Sequence, residues 1–449
     1  MKKLIIATLL LCSVNLLAQV KITDADIKKI SLFNQTDKPT HLVVSWLENN
    51  GQLIDELYSL VLDYNKTATK EDQISLVVSI PLNYGAESMF SDEMRPDGEP
   101  YADAKKQYAK LQAKYKTKKA LPNLQFFNST EPQNPWMQDY GDVLEVELKD
   151  GSKKTVFMDT NYYGSTDGSK AVNELAKLLK LPVYNPNNYA VDELPNDGDR
   201  GGNLEVTQEN LMYVGNTISD KLSAKLQKLS GVKPITLDTQ FLVVGHIDEI
   251  MSVVPAKNKC GAALVYADPV YAINLAFLGK TGKSAINNYL PNMTYFLKKA
   301  SLSKKAPYTI ADFDLTKQVR DDEIVGDTEV LNMLQAAVSI KKNVDTVVAN
   351  SKCLEQVIGL PVHMVGNPEL GEDAFELTTR NLVPLSSPVN LVALGNTLIL
   401  KEPLFKEQVI AELSKISGSK VHIIKANMTS YEMGFGAFHC ATQVIRKRK

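Results

Sequence analysis

The 449-residue chain is short of cysteine, of net charge and of long apolar runs, and each shortage excludes something. Fifty Lys and Arg are balanced by 52 Asp and Glu, a formal net charge of −2, so composition offers no general attraction to nucleic acid or to an anionic membrane surface. Beyond the first twenty residues no stretch is long and apolar enough to span a bilayer. No low-complexity linker breaks the chain into separate parts. The 44% apolar share is that of an ordinary globular protein, and the length suits one large domain or two to three ordinary ones.

The one long apolar run lies at the start. Lys2 and Lys3 precede LIIATLLLCSVNLLA, residues 4–18, and the polar QVKITDAD follows. A charged start, a short apolar core and a small residue at Ala18 read as a secretory signal peptide over 1–18, with a secreted or periplasmic protein starting near Gln19. Leu11 before Cys12 does not fit a lipoprotein cleavage site. No stable membrane insertion is expected once the segment is removed. The remaining chain, 19–449, holds Cys260, Cys353 and Cys440, and an odd number leaves at least one thiol free. Cys260 and Cys353 could pair; the sequence alone does not choose.

The chain repeats itself. NLEVTQENLMYVGNTISDKLSAKLQKLSGVKPITL begins at Asn203, and NLVALGNTLILKEPLFKEQVIAELSKISGSKVHII begins at Asn390. Each reads as a strand, a Gly-Asn-Thr element, a helix with apolar residues three and four apart, a stop at Gly231 or Gly418, and a further β-rich run. Weaker copies lie at 56–80, 171–184 and 351–365. The unit is β-β-α-β, present about five times, and such spacing predicts a stacked or radial α/β architecture. Residues 86–120 break the pattern and read as a charged surface insertion.

Four stretches place charged or reactive residues among apolar ones: NPWMQDYGDVLEVEL (134–148), GDRGGNLEV (198–206), VVGHIDEIMSVVPA (243–256) and MGFGAFHCATQV (433–444). Each alone has an ordinary structural reading. Asp139 can close a turn, Cys440 can be a small buried hydrophobe, and His246 and Asp248, two apart, would share one side of a strand. Together they are the parts of a cysteine hydrolase for a cationic substrate. A thiolate is the nucleophile, a histidine moves the protons, and two carboxylates match the planar fork of a guanidinium. The local signature of papain-like proteases around the cysteine is missing.

These motifs, NPWMQD, GNLEV, VGHIDEIMSVVPA and FHCATQV, resemble the catalytic motifs of the protein-arginine deiminase family, in the family's order. The resemblance implies the pentein fold, a five-bladed α/β propeller of ββαβ units around a central site. It implies Cys440 as nucleophile, His246 as general acid/base, Asp139 and Asp248 as the guanidinium-binding carboxylates, and Trp136 as the ring packed on the substrate side chain. The implied activity is conversion of arginine in a peptide or protein to citrulline and ammonia through a covalent amidino-cysteine. The alternatives are an enzyme of the same fold acting on free arginine or agmatine, and a non-catalytic binding module. The resemblance also implies calcium, held by Gln138, Asp142, Glu205 and the carbonyls of Gly201 and Leu204. All are oxygen donors, which suits this hard cation. A second family calcium site is eroded: Tyr140 replaces an acid, although Asp159 and Thr160 remain.

Where the family holds the substrate backbone with arginines, this chain has Tyr162 and Tyr163, and Gly434. The flanking loops DTNYYGSTDG and SYEMGFGAF carry no Lys or Arg, and Tyr431 adds a third ring, so an uncharged peptide backbone is the expected occupant of the pocket mouth.

Overall fold

A computed structural model describes residues 20–46, 51–83, 113, 121–132, 135–162, 168–187, 196–277, 307, 309, 325–366, 382–428 and 437–448. The expected signal peptide, the 86–120 insertion apart from Ala113, Tyr163, Tyr431 and Gly434 lie outside these residues.

The unit that opens at Asn203 shows how the local sequence builds the fold. Strand Leu204–Val206 pairs antiparallel with Met212–Gly215, which pairs parallel with Ile235–Leu237. A parallel partner cannot be reached by a tight turn, so the chain crosses over through helix Asp220–Ser230. Ser219 caps that helix, its hydroxyl accepting the Leu222 N–H at 3.1 Å. Leu222, Leu226 and Leu229 recur at helical spacing and are buried. The helix stops where expected, at Gly231, whose φ of +73° favours glycine.

The same order recurs, so that the described residues hold five such units. One runs through strands Gly141–Leu148 and Lys153–Asp159, helix Lys170–Leu179 and strand Val183–Tyr184. Another joins Met251–Pro255, Ala262–Asp268 and Val357–Pro361, with helices Pro269–Phe277 and Val325–Asn350 in the crossover. A fourth joins Val392–Leu394, Thr397–Lys401, helix Lys406–Leu413 and Lys420–Ile424. The fifth comes from both ends of the chain: Thr442–Lys447 lies antiparallel to Lys38–Ser45, which leads through helix Gly51–Asn65 to the parallel strand Ser75–Asn83. The copies read at 56–80, 171–184 and 351–365 cover helix-to-strand or pre-strand parts of three of these units.

Two details of the repeat differ from expectation. Gly-Asn-Thr is not an equivalent element: Gly215 ends a second strand, whereas Gly395 and Asn396 turn the chain into one. The helix of the later copy ends at Leu413 rather than near Gly418, because its last turn tightens, with Lys415 and Ile416 N–H groups bonded three residues back to Glu412 and Leu413.

Neighbouring units share cores. Leu144 and Val156 pack with Leu204, Val214 and Leu222. Tyr213 and Leu237 pack with Val253, Leu264, Leu360, Ala393 and Leu400. Val392 and Ile399 pack with Val44, Leu76 and Val444. Val43, Val77 and Ile445 pack with Val143, Phe157 and Ala171, which brings the fifth unit back to the first. Burial of these faces is the main term holding the units together.

Candidate active site

The residues singled out in the sequence sit at equivalent places. Asp139 lies in a 3-10 turn, Gln138–Tyr140, just before Gly141–Leu148. Gly202 lies in the turn before Leu204–Val206, and His246 and Asp248 lie just before Met251–Pro255. Asn390 precedes Val392–Leu394, and Cys440 precedes Thr442–Lys447. Each unit therefore contributes the segment entering its first strand.

The VVGHIDE segment is not a strand, as its apolar flanks implied. His246 is extended and Ile247–Glu249 is a 3-10 turn. A strand would put His246 and Asp248 on one side by alternation; the turn achieves it by a cap. Glu249 Oε1 reaches back to accept the His246 N–H at 2.8 Å. Gly202 makes the closeness possible. A Cβ there would lie 2.8 Å from His246 Nδ1 and 3.1 and 3.2 Å from the Asp248 oxygens. Any side chain at 202 would separate the two groups from that point.

Among the described residues Cys440 is the free thiol, since Cys260 and Cys353 are joined in a disulfide. Its Sγ lies 3.3 Å from Asp248 Oδ2 and accepts an N–H from the Asn390 amide at 3.1 Å. Asn390 Oδ1 in turn accepts the backbone N–H groups of His439 and Cys440, at 2.9 and 3.2 Å. The Gln138 N–H donates to the Cys440 carbonyl at 3.2 Å, tying the Asp139 turn to the nucleophile. Trp136 is buried in the apolar cluster that holds Phe438 and Cys440.

His246 is fully buried, with Nε2 3.0 Å from the Asp197 carbonyl and Nδ1 3.9 Å from Asp139 Oδ1. A carbonyl only accepts, so Nε2 carries a hydrogen and Nδ1 is the basic nitrogen of the neutral ring. His246 Nδ1 and Asp248 Oδ1 are buried and have no hydrogen-bond partner among the described residues. Both border the same point beside Gly202.

Burial pushes the Cys440 thiol well above its ordinary pKa, and the charges of Asp248 and Asp139 push it further. Burial likewise raises Asp139, against the opposing pull of Arg200 and His246. Burial opposes charge on His439, but its 2.8 Å bond to Asp248 Oδ2 and the nearby carboxylates outweigh this and raise its pKa. The resting site thus combines a neutral thiol with carboxylates and is built to receive a cation.

Beside it lies a small cavity of about 40 Å³. Gln138, Asp142, Leu204 and Glu205 line it, together with His439, Gln443 and Arg446. Gly201, the fifth residue expected at a calcium, is not on its wall; its carbonyl accepts the Leu204 N–H. Burial pushes Asp142 and Glu205 each up to about 7. Asp159 stands elsewhere, fully buried and bonded to the Asn161 and Ser169 N–H groups and the Ser169 hydroxyl. Thr160 donates its hydroxyl to the Asp139 carbonyl at 2.7 Å. Thr160 thereby braces the Asp139 turn, and Asp159 orders the chain that follows it.

Three members of the site escaped the sequence reading. His439 was quoted only beside its cysteine. Asn390 opens the later repeat copy, which was a usable signal, since Asn203 opens the earlier one. Arg200, within the quoted GDRGGNLEV, reaches inward, with Nη1 3.7 Å from Asp139 Oδ2. No pattern in the sequence marks that approach.

A buried thiol, a histidine with a free basic nitrogen and two carboxylates define a hydrolase of cationic C–N substrates. The family model for protein-arginine deiminase (PAD) matches residues 207–449, more than half the chain, and the chain belongs to that family. No curated protein matches it significantly. Among solved structures it is similar to agmatine deiminase of C. jejuni, at 12% identity over 93% of this chain and 96% of that one, with a TM-score of 0.48. It is also similar to a protein described as a "putative peptidyl-arginine deiminase", at 11% identity over 94% of this chain and all of that one, with a TM-score of 0.51. The second likeness speaks for a shared α/β fold.

Proposed function

We propose that the protein hydrolyses the guanidinium of arginine in a peptide or protein to citrulline and ammonia, on a pentein propeller of five ββαβ units, after export from the cell. The observation that carries the chemistry is Cys440 Sγ at 3.3 Å from Asp248 Oδ2, with Asp248 Oδ1 and His246 Nδ1 both buried beside Gly202 and without hydrogen-bond partners among the described residues. Two carboxylates beside a thiol suppress the thiolate while the site is without a cation. A bound guanidinium reverses this, because its charge offsets theirs.

Asp139 and Asp248 hold the guanidinium by charge-assisted hydrogen bonds. Cys440 Sγ forms a bond to the central carbon, and its proton passes to His246 Nδ1. The tetrahedral adduct breaks its bond to one amino group, which takes that proton and leaves as ammonia. The carbon stays bonded to sulfur as an amidino-thioether. Water then attacks the same carbon, giving its proton to His246, and the carbon–sulfur bond breaks to release citrulline and return the thiol. Asn390 steadies the sulfur at both stages through its amide N–H.

Calcium fits the cavity behind this site. Gln138, Asp142 and Glu205 present oxygen donors to one small polar space, and two acids both raised to about 7 ionise more readily beside a divalent cation. Held there, calcium would supply charge compensation and fix the turn that carries Asp139. His439 and Arg446 already bring positive charge to the same wall. Export accords with the paired Cys260 and Cys353, and no described helix is long and apolar enough to cross a membrane.

The test is citrulline release from an arginine peptide by the wild-type protein and by Cys440→Ser, with and without calcium. Release by the serine variant at a comparable rate would overturn the mechanism.

A further inference from the structure

The mechanism above gives the His439 ring no task at the substrate, yet it meets the same carboxylate oxygen as the nucleophile. His439 Nδ1 lies 2.8 Å from Asp248 Oδ2, and Cys440 Sγ lies 3.3 Å from that oxygen. An ionised carboxylate only accepts, so Nδ1 carries a hydrogen in this bond whether the ring is neutral or charged. The other oxygen, Asp248 Oδ1, is buried without a hydrogen-bond partner among the described residues, and it borders the point beside Gly202 that His246 Nδ1 also borders. The two oxygens are therefore divided: the protein engages Oδ2 and leaves Oδ1 for a ligand.

The backbone around them is already fixed. Asn390 Oδ1 accepts the His439 and Cys440 N–H groups, and the Asn390 amide also donates to the Asp248 carbonyl at 3.3 Å. That holds the chains but not the plane of the carboxylate, because the last torsion of an aspartate is broad and has no narrow staggered well. A bond at Oδ2 stops the swivel. The plane matters because a hydrogen bond to such an oxygen runs close to the plane of the carboxyl group, so a swivel would carry the guanidinium carbon off the line of approach of the sulfur. His439 and Cys440 are consecutive, so one peptide bond sets the clamp and the nucleophile at a fixed distance.

We propose that His439 is a positioning residue: its Nδ1 clamps Asp248 Oδ2, so that the carboxylate offers Oδ1 to the guanidinium in one fixed plane, in line with Cys440. The proposal rests on the hydrolase reading above and adds a residue to it. It uses the place of Nδ1 and not the charge of the ring. Two neutral amides separate those: the side-chain nitrogen of Asn reaches the place of Nδ1, and that of Gln the place of Nε2.

The experiment takes wild type, His439→Asn and His439→Gln. It measures kcat and KM for an arginine peptide, melting temperature, and the rates at which chloroacetamidine and chloroacetamide alkylate Cys440, each divided by that reagent's rate with free cysteine. Both reagents form the sulfur–carbon bond as chloride leaves, and only the amidine is a cation that the carboxylate can orient. Wild type is expected to favour the amidine by at least about tenfold. His439→Gln should bring that ratio toward one and lower kcat about 10²-fold, with a smaller change in KM and little change in melting temperature, whereas His439→Asn should keep the ratio and kcat within about fivefold of wild type. A folded His439→Gln that keeps the ratio overturns the proposal. Equal losses in the Asn and Gln variants also overturn it, because the charge of the ring is then what counts. If His439→Gln does not fold, His439→Asn decides alone: a wild-type ratio supports the clamp and a lost ratio overturns it. If wild type releases no citrulline and reacts no faster with the amidine than with the amide, the hydrolase reading falls and this inference falls with it.

Discussion

Asn203 and Asn390 open two copies of one unit, and both are buried to the same extent, yet they do different work. The Asn203 amide donates to the Gly198 carbonyl at 2.8 Å and the Thr217 hydroxyl at 3.1 Å, and its oxygen accepts the Gly215 N–H at 3.0 Å. It closes its own unit. The Asn390 amide turns across to the last unit, to the sulfur and the backbone of Cys440. A repeat thus supplies the same polar anchor twice, and the neighbour decides whether it becomes structure or chemistry.

The harshest trial of that contrast removes the sulfur that Asn390 serves. Cys440→Ser is expected to lower kcat by at least about 10⁴-fold while thermal unfolding stays close to wild type. Kinetics and calorimetry on the same preparation check this. Normal turnover would reduce Asn390 to a second Asn203.

Next come the carboxylates. Asp248→Asn and Asp139→Asn should each lower kcat/KM by about 10² to 10³-fold, because each removes a charged acceptor from the guanidinium. Near wild-type rates in both would return the acids of the HIDE turn to a structural role.

The paired asparagines test the comparison directly. Asn390→Ala should lower kcat about tenfold or more with a modest change in melting temperature. Asn203→Ala should cost about 1–3 kcal/mol of stability, through buried groups left unsatisfied, and act on kcat only through folding. Parallel melts and rate measurements separate the two. Equal losses of stability with no difference in kcat would erase the distinction.

Much of this was legible in the sequence, for a physical reason. Apolar spacing is set by the helix and strand periods, so the β-β-α-β order and the stop at Gly231 could be read directly. Reactive residues amid apolar ones are costly unless grouped, which flagged Asp139, His246, Asp248 and Cys440. Distances across units were not legible. Gly202 matters because of what a Cβ would strike, and Arg200 because of a carboxylate some sixty residues earlier in the chain. The local shape of VVGHIDE was misread because burial alone does not separate a strand from a 3-10 turn held by its own Glu249.

The smallest expected effect lies at the cavity behind the site, and it asks whether that region is structural like Asn203 or functional like Asn390. Asp142 and Glu205 both line the cavity, burial raises each to about 7, and the charge of Asp142 adds to the rise at Glu205. A divalent ion bound only by the folded protein would stabilise it by mass action, about 2.7 kcal/mol at a hundredfold excess over the dissociation constant. Excess chelator should then lower the melting temperature by a few degrees, and calcium should restore it while magnesium, which demands a tighter octahedron, should restore less. Asp142→Asn should abolish the calcium response without touching Cys440. If melting is indifferent to chelator and calcium, the cavity needs no ion, its acids are served by His439 and Arg446, and the region belongs with the scaffold.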